Sequence, residues 1–196
     1  VAADDYLPGV RELCDERGLL LIFDEVQTGM GRTGQWFAYQ HTGIEPDIMT
    51  LAKSLAGGFP MGACLAKGEV ATAFAPGDHA STFGGNHLAC AAALATITIM
   101  EQEYLVAHAR AMGALLWERF SALARTNPRL DHVRGRGLLL GLQLTDGSAR
   151  ALQAACLERG LLVNTIGENL LRLAPPLIVT ADECEQAVSI ISAALA

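Results

Sequence analysis

Residues 19–34 read "LLLIFDEVQTGMGRTG", and no other stretch constrains the fold as much. The apolar run is too short for a helix. It carries no polar residue before Asp24, the pattern of a strand buried on both faces of an open α/β sheet. Such sheets bind ligands outside the carboxyl ends of their strands, which is where Asp24 and Glu25 fall. Two familiar motifs overlap here. "GMGRTG" fits the G-x-G-x-x-G dinucleotide fingerprint, and "LLLIFDE" fits the apolar strand ending in Asp-Glu with which ATPases hold magnesium. Neither context holds. The fingerprint must open into a helix, but "QWFAYQHTGIEPDI" follows, with aromatics, Gly43 and Pro46 against a long one. Five residues also separate the strand from the first glycine. The ATPase reading needs a G-x-x-x-x-G-K-[ST] loop to cradle phosphates, and these residues contain none.

The remaining pattern continues an α/β arrangement and then changes character. "GVRELCDERG" reads as a helix stopped by Gly18, and "DIMTLA" and "GACLAK" as short strands around the loop "AGGFPMG". Helices are expected over 86–104 and 107–124. Beyond Asn127, "DHVRGRGLLLGLQL" and "GLLVNTIGENLLRLAP" read as strands of a small sheet, with helices over 148–159 and 181–194. The expectation is a mostly parallel sheet with flanking helices in residues 1–102, part of a larger domain. A small α+β domain follows in 103–196. The chain opens at Val1 just upstream of a helix, and it is expected to be a piece of a longer one.

Composition narrows the function classes. A net charge of −7 argues against a nucleic-acid surface, which needs a clustered basic face. Five scattered cysteines, odd in number and without a C-x-x-C pair, favour reduced thiols in a cytoplasmic protein over disulfides or a zinc site. The histidines show no metal spacing. "LACAAALATITIM" is too short to span a bilayer, so no membrane partner is expected.

Within this frame, "DIMTLA" ends in "KS", placing Lys53 on the same sheet rim as Asp24. Pyridoxal phosphate needs such a pair. A lysine amine condenses with its aldehyde, and a carboxylate keeps its pyridine nitrogen protonated. A free lysine amine can then carry the substrate Cα proton. A lysine between an apolar strand and a Gly-rich loop is also an unusual place for a freely exposed charge. A third segment, "HASTFGGNHLACAAA", combines the Ser81 and Thr82 hydroxyls with Gly84, Gly85 and a helix start, good parts for a phosphate or carboxylate. Taken singly, each feature has a plain structural reading: a solvated strand end, a surface lysine, a capped helix.

Together, "IFDEVQTGMGRTG", "TLAKSLAGGFPMGA" and "STFGGNHLACAAA" resemble the class III pyridoxal-phosphate aminotransferases, through essentially the whole chain. Members are about twice this length, so the resemblance is to their C-terminal half. It implies that Asp24 pairs with the pyridine nitrogen and that Lys53 is the lysine joined to the cofactor. Val26 would pack on the ring and Gln27 lie near its hydroxyl, with Glu25 among the cofactor-binding residues. Thr82 would bind the phosphate of a neighbouring subunit's pyridoxal 5'-phosphate in a homodimer with shared active sites, and Ser81 would touch substrate. "LLRLAPPLI" makes Arg172 the arginine for the carboxylate of a small-molecule amino-acid substrate. Gly29, Gly31 and Gly34 become turn-makers at the rim. Where the family usually has proline, this chain has His87, with little consequence expected.

"QTGMGRTG" and "STFGGN" tilt the expected activity toward transamination of N-acetylornithine or N-succinylornithine with 2-oxoglutarate, in arginine metabolism. Two alternatives stand beside it. One is a 4-aminobutyrate or diamine ω-aminotransferase. The other is an inactive module serving only dimerisation or binding.

Overall fold

A computed structural model describes residues 1–196. Its contacts divide the chain into two compact units. Residues 2–31 and 35–105 form an N-terminal unit. Residues 32–34 and 106–196, with Val1, form a C-terminal one.

The N-terminal unit begins with α1 (Tyr6–Arg17), which stops where expected. Gly18 takes the left-handed conformation at φ +63°, and its N–H bonds back to the last turn. Three strands follow: β1 (Ile22–Asp24), β2 (Ile48–Leu51) and β3 (Ala63–Ala66), in the order β1-β2-β3. The pairing of β1 with β2 is parallel, with Asp24 opposite Thr50; β3 joins antiparallel. Asp47 fixes this register. Its carboxylate accepts from the Leu21 N–H at 2.8 Å and from Arg11 at 2.9 Å, and these two bonds hold its pKa below the usual carboxylate range.

The first strand departs from expectation. Only three of its residues pair, and Leu19, Leu20 and Ile22 are exposed rather than covered on both faces. The cause is topological, because β1 lies at the sheet edge with a single neighbour. The unit closes with α2 (His87–Gln102), where Asn86 is the N-cap, accepting from Ala89 N at 2.9 Å. His87 occupies the first helical position without disturbing that cap.

The C-terminal unit is built from α3 (Leu105–Ala124), β4 (Leu130–Arg136), β5 (Leu139–Leu144), α4 (Ala149–Glu158), β6 (Asn164–Ile166), β7 (Leu170–Leu173) and α5 (Ala181–Leu195). Its sheet is antiparallel, in the order β4-β5-β7-β6. Alternation along β5 turns Leu140, Leu142 and Leu144 onto a core shared with Phe120 of α3, Leu152 of α4 and Ile191 of α5. Helix α5 starts with a capping box, in which Thr180 accepts from Glu183 N while Glu183 accepts from Thr180 N.

Residues 32–34 pack inside this second unit. Leu138 N donates to Arg32 O at 2.9 Å, and Arg110 donates twice to Gly34 O, at 3.0 and 2.9 Å. Gly137 allows this approach. It sits at φ +53°, and a Cβ there would lie 2.3 Å from the Thr33 carbonyl carbon. No helix is long and apolar enough to cross a membrane.

Candidate active site

Parallel pairing places the ends of β1 and β2 on one rim. Asp24 is the last residue of β1, and Lys53 follows β2 by two residues, with Asp24 and Thr50 in register. Neighbouring strands lie about 4.8 Å apart, so both residues serve the same edge. The Asp24 Oδ1 accepts from Val26 N at 2.9 Å, which leaves Oδ2 open. This bond folds the chain over the strand end and fixes the carboxylate's direction.

Lys53 stands in the left-handed region at φ +49°, between extended Ala52 and a 3-10 turn at Lys53–Ala56. A lysine there carries a strain of about 1 kcal/mol or more, and such strain clusters at functional positions. Leu55 and Ala56 anchor the turn by burial, and Gly57 lies close enough to α2 that a Cβ would meet Thr96 Oγ1 at 2.8 Å. The Lys53 side chain is exposed and makes no ion pair. The expected shelter is therefore absent within this unit: the backbone is held, and the amine is free to react.

Glu25 turns inward. Only 3% of it is exposed, Oε1 accepts from Tyr39 N at 2.9 Å, and Oε2 takes the Thr28 hydroxyl. Its backbone adds two more ties, N to Thr50 O and O from Gly29 N, each 3.0 Å. With both carboxylate oxygens committed, Glu25 holds the turn that presents Val26, half-buried, and Gln27, exposed. Of the three glycines expected as turn-makers, Gly31 and Gly34 do adopt positive φ, as does Met30. Gly29 serves by closeness instead: a Cβ would meet Glu25 O at 2.9 Å. No dinucleotide-type helix follows, only the 3-10 turn Ala38–His41.

Ser81 and Thr82 lie on an exposed loop leading into α2. With Pro60–Gly62, Ser81 and Phe83–Asn86 surround a cavity of about 320 Å³. Gly84 approaches Ser81 so closely that a Cβ would lie 3.0 Å from the serine Cβ. The hydroxyls of Ser81 and Thr82 form no hydrogen bond within the chain, and the Asn86 cap leaves the first helical N–H groups facing this loop.

Arg172 belongs to the C-terminal unit. It sits mid-strand on β7, opposite Gly141 of β5 and Asn164 of β6. Arg32 is near it, a residue that motif reading passed over because "GMGRTG" drew attention to its glycines. The half-buried Arg32 guanidinium donates to Leu138 O at 3.2 Å and to Pro175 O.

The sequence profile described as "Aminotransferase class-III" matches residues 1–195. This chain belongs to the class-III aminotransferases. Acetylornithine aminotransferase 1 of Bordetella bronchiseptica is 52% identical over 186 residues, covering 95% of this chain and 47% of that protein. Acetylornithine aminotransferase of Corynebacterium efficiens is 48% identical over 195 residues, with 100% and 47% covered. Among solved structures, acetylornithine aminotransferase from Elizabethkingia anophelis superposes at a TM-score of 0.92 with 38% identity, over 100% of this chain and 52% of that one. An S-selective transaminase from Arthrobacter sp., solved with alanine bound, gives 0.95 with 28% identity over 100% and 47%. The chain thus spans about half the length of the curated relatives it matches.

Proposed function

We propose that the whole protein is a pyridoxal 5'-phosphate-dependent aminotransferase that moves the amino group of N-acetylornithine or N-succinylornithine to 2-oxoglutarate. The observation that carries this reading is the shared rim of Asp24 and Lys53, with Lys53 held in a strained backbone beside an open carboxylate oxygen. The parts fit the cofactor. A free amine, a directed carboxylate and a hydroxyl–glycine loop at a helix start match its aldehyde, its ring nitrogen and its phosphate. Bound there, the cofactor supplies the electron sink for Cα deprotonation.

In this reading Asp24 keeps the ring nitrogen protonated, and Val26 and Gln27 face the ring and its hydroxyl. Glu25 contributes through the turn it braces. Lys53 holds the cofactor and then carries a proton to and from the substrate Cα. Thr82 binds phosphate, Ser81 meets substrate, and Arg172 takes the substrate carboxylate in a bidentate grip. The close likeness to proteins named acetylornithine aminotransferase supports the substrate class. The scatter of five cysteines, odd in number and without a C-x-x-C pair, supports a cytoplasmic setting.

The test has two parts. Adding pyridoxal 5'-phosphate to the whole protein should give a visible absorption band that Lys53→Ala lacks. Initial rates should rank acetylornithine or succinylornithine above 4-aminobutyrate; the opposite ranking would replace the substrate with an ω-amine. A protein that neither binds the cofactor nor turns over any amine would be a binding module.

We also propose a homodimer with shared sites, supported by the apolar side chains that α2 and its preceding loop leave exposed, among them Phe83, Leu88 and Leu94. Mixed Lys53→Ala and Thr82→Ala subunits, dissociated and reassociated, should recover activity toward half of wild type in the heterodimer, because one site then carries both lesions and the other neither. If activity stays low, the two residues serve one cofactor and the shared-site arrangement falls.

A further inference from the structure

Between Glu25 and Tyr39 the chain leaves the N-terminal unit and returns to it. It passes into the C-terminal unit at Arg32, contributes three residues there, and comes back at Gln35. Backbone packing holds that tip. A Cβ on Gly113 of α3 would lie 2.4 Å from the Gly137 carbonyl carbon, and one on Gly137 would lie 2.3 Å from that of Thr33. Helix, turn and tip are stacked with no room for a methyl group between them, and only 6% of Thr33 is exposed. Arg110 adds its two bonds to Gly34 O.

Both arms of the loop end on Glu25. On the outward side Gly29 N donates to Glu25 O at 3.0 Å, and on the return side Tyr39 N donates to Glu25 Oε1 at 2.9 Å. Gly31 N donates to Trp36 O at 3.2 Å and ties the arms to each other. The outward arm has little slack, since only Met30 and Gly31 separate the turn from the tip, a reach of about 7 Å at full extension. Met30 is buried and left-handed at φ +55°, a strained state that persists only where the surroundings impose it. A shift of the tip therefore moves Glu25, which Asp24 and Val26 flank in the chain.

We propose that the tip 32–34 is a positioning strap: the Gly113–Gly137–Thr33 stack, acting through Glu25, sets the direction of the Asp24 carboxylate and the placement of Val26 against the cofactor ring. This rests on the reading of Asp24 and Val26 given above. Gly113 and Gly137 are then positioning residues that touch neither cofactor nor substrate, and the grip on the cofactor depends on them as well as the stability of their own unit.

The whole protein is freed of pyridoxal 5'-phosphate and titrated with it, well below the unfolding temperature, to give a Kd and the position of the visible absorption band. Gly113→Ala drives a methyl group into the stack. It should raise the Kd about tenfold and shift the band, because small misplacements of positioning groups are costly. Gly160→Ala is the control. It strains a left-handed residue of the same unit, at φ +81° with nothing within 4 Å of the new Cβ, and should stay within about twofold of wild type. A Gly113→Ala Kd within about twofold of wild type overturns the proposal. So does an equal rise in both variants, which would trace the loss to stability alone. If Gly113→Ala fails to fold, Arg110→Ala decides, because it removes two bonds to the tip from an exposed side chain. A rise of about twofold or more then upholds the strap, and a smaller one overturns it. Asp24→Asn keeps the two readings apart. Weakened binding there with an unchanged Gly113→Ala removes the strap alone. An unchanged Kd and band in Asp24→Asn removes the Asp24 reading, and the strap with it.

Discussion

The two units are of similar length and finished very differently. In the C-terminal unit, one cluster joins both strands and helices, with Phe120, Leu138, Leu142, Leu171 and Ile191 fully buried. The N-terminal unit buries Leu51, Leu55, Met30, Met100 and several alanines, but no side chain of it as large as Phe120 is fully enclosed. It leaves Leu19, Leu20, Ile22 and Leu88 in the open, and Leu65 and Leu94 line an apolar hollow of about 500 Å³ together with Trp36, Leu51 and Met61. The C-terminal unit has a closed core and carries Arg172 on its sheet. The N-terminal unit is more open and carries Asp24 and Lys53. A region rich in uncovered apolar surface is one built to be covered by further protein.

The contrast can be broken most directly by function. Lys53→Ala in the N-terminal unit should lower kcat by three or more orders of magnitude, since it removes both the cofactor's partner and the proton carrier. Arg172→Ala in the C-terminal unit should act chiefly through KM for the carboxylate substrate. Steady-state kinetics on both variants checks the division, and equal kcat losses would erase it.

Asp24→Asn comes next. Cα deprotonation should slow by about a hundredfold and cofactor be lost on dialysis, because an unprotonated ring is a poor electron sink. A variant with normal kinetics and only a lower Tm would make Asp24 an ordinary strand end.

Packing offers a smaller and more graded comparison. Phe120→Ala should cost about 3–5 kcal/mol in denaturant unfolding, as a large side chain leaves a fully enclosed core. Leu51→Ala should fall near about 2 kcal/mol, because one wall of its site is already the open hollow. Equal costs would mean that the hollow is filled in the whole protein.

Two glycines sharpen the point. Gly137→Ala must force both a positive φ and a collision with the Thr33 backbone, for about 2–4 kcal/mol. Gly18→Ala meets nothing within 4 Å and should cost only about 1 kcal/mol, the strain of the left-handed helix cap. Thermal unfolding of the two variants measures the gap.

The smallest effect concerns pH. The Glu183 carboxylate accepts from the Thr180 N–H and then from its hydroxyl, which lowers its pKa in the folded state. Its contribution is thus present above the ordinary carboxylate range and disappears as the pH falls through the folded value. Glu183→Gln should lower stability slightly at neutral pH, converge with wild type at acid pH, and so flatten the acid limb of the profile. A steeper acid limb in the variant would contradict this sign.

Much of this protein is written in short-range pattern. The apolar periods of α2, α3, α4 and α5, the glycine stop at Gly18, and the Asp24, Lys53 and "STFGGN" segments are all legible from residue order. The reason is that helix periodicity, capping and turn chemistry act over a few residues. Long-range pairing decided the rest. The run 19–23 promised a covered strand, yet its exposure depends on which neighbours β1 acquires, a fact no local pattern holds. The left-handed backbone of Lys53 arises from the junction of β2 with a turn packed on α2. Glu25 stands beside Asp24 in the sequence, yet the Thr28 hydroxyl and the Tyr39 N–H hold its two carboxylate oxygens within the unit. Arg32 is silent in sequence because its partners, Leu138, Arg172 and Pro175, lie more than 100 residues away. Residue order was enough to single out Asp24, Lys53 and the hydroxyl–glycine loop as candidates, because motif and turn chemistry act over a few residues. Only the tertiary structure could say which charges meet, because electrostatic partners are chosen by distance in space and not along the chain.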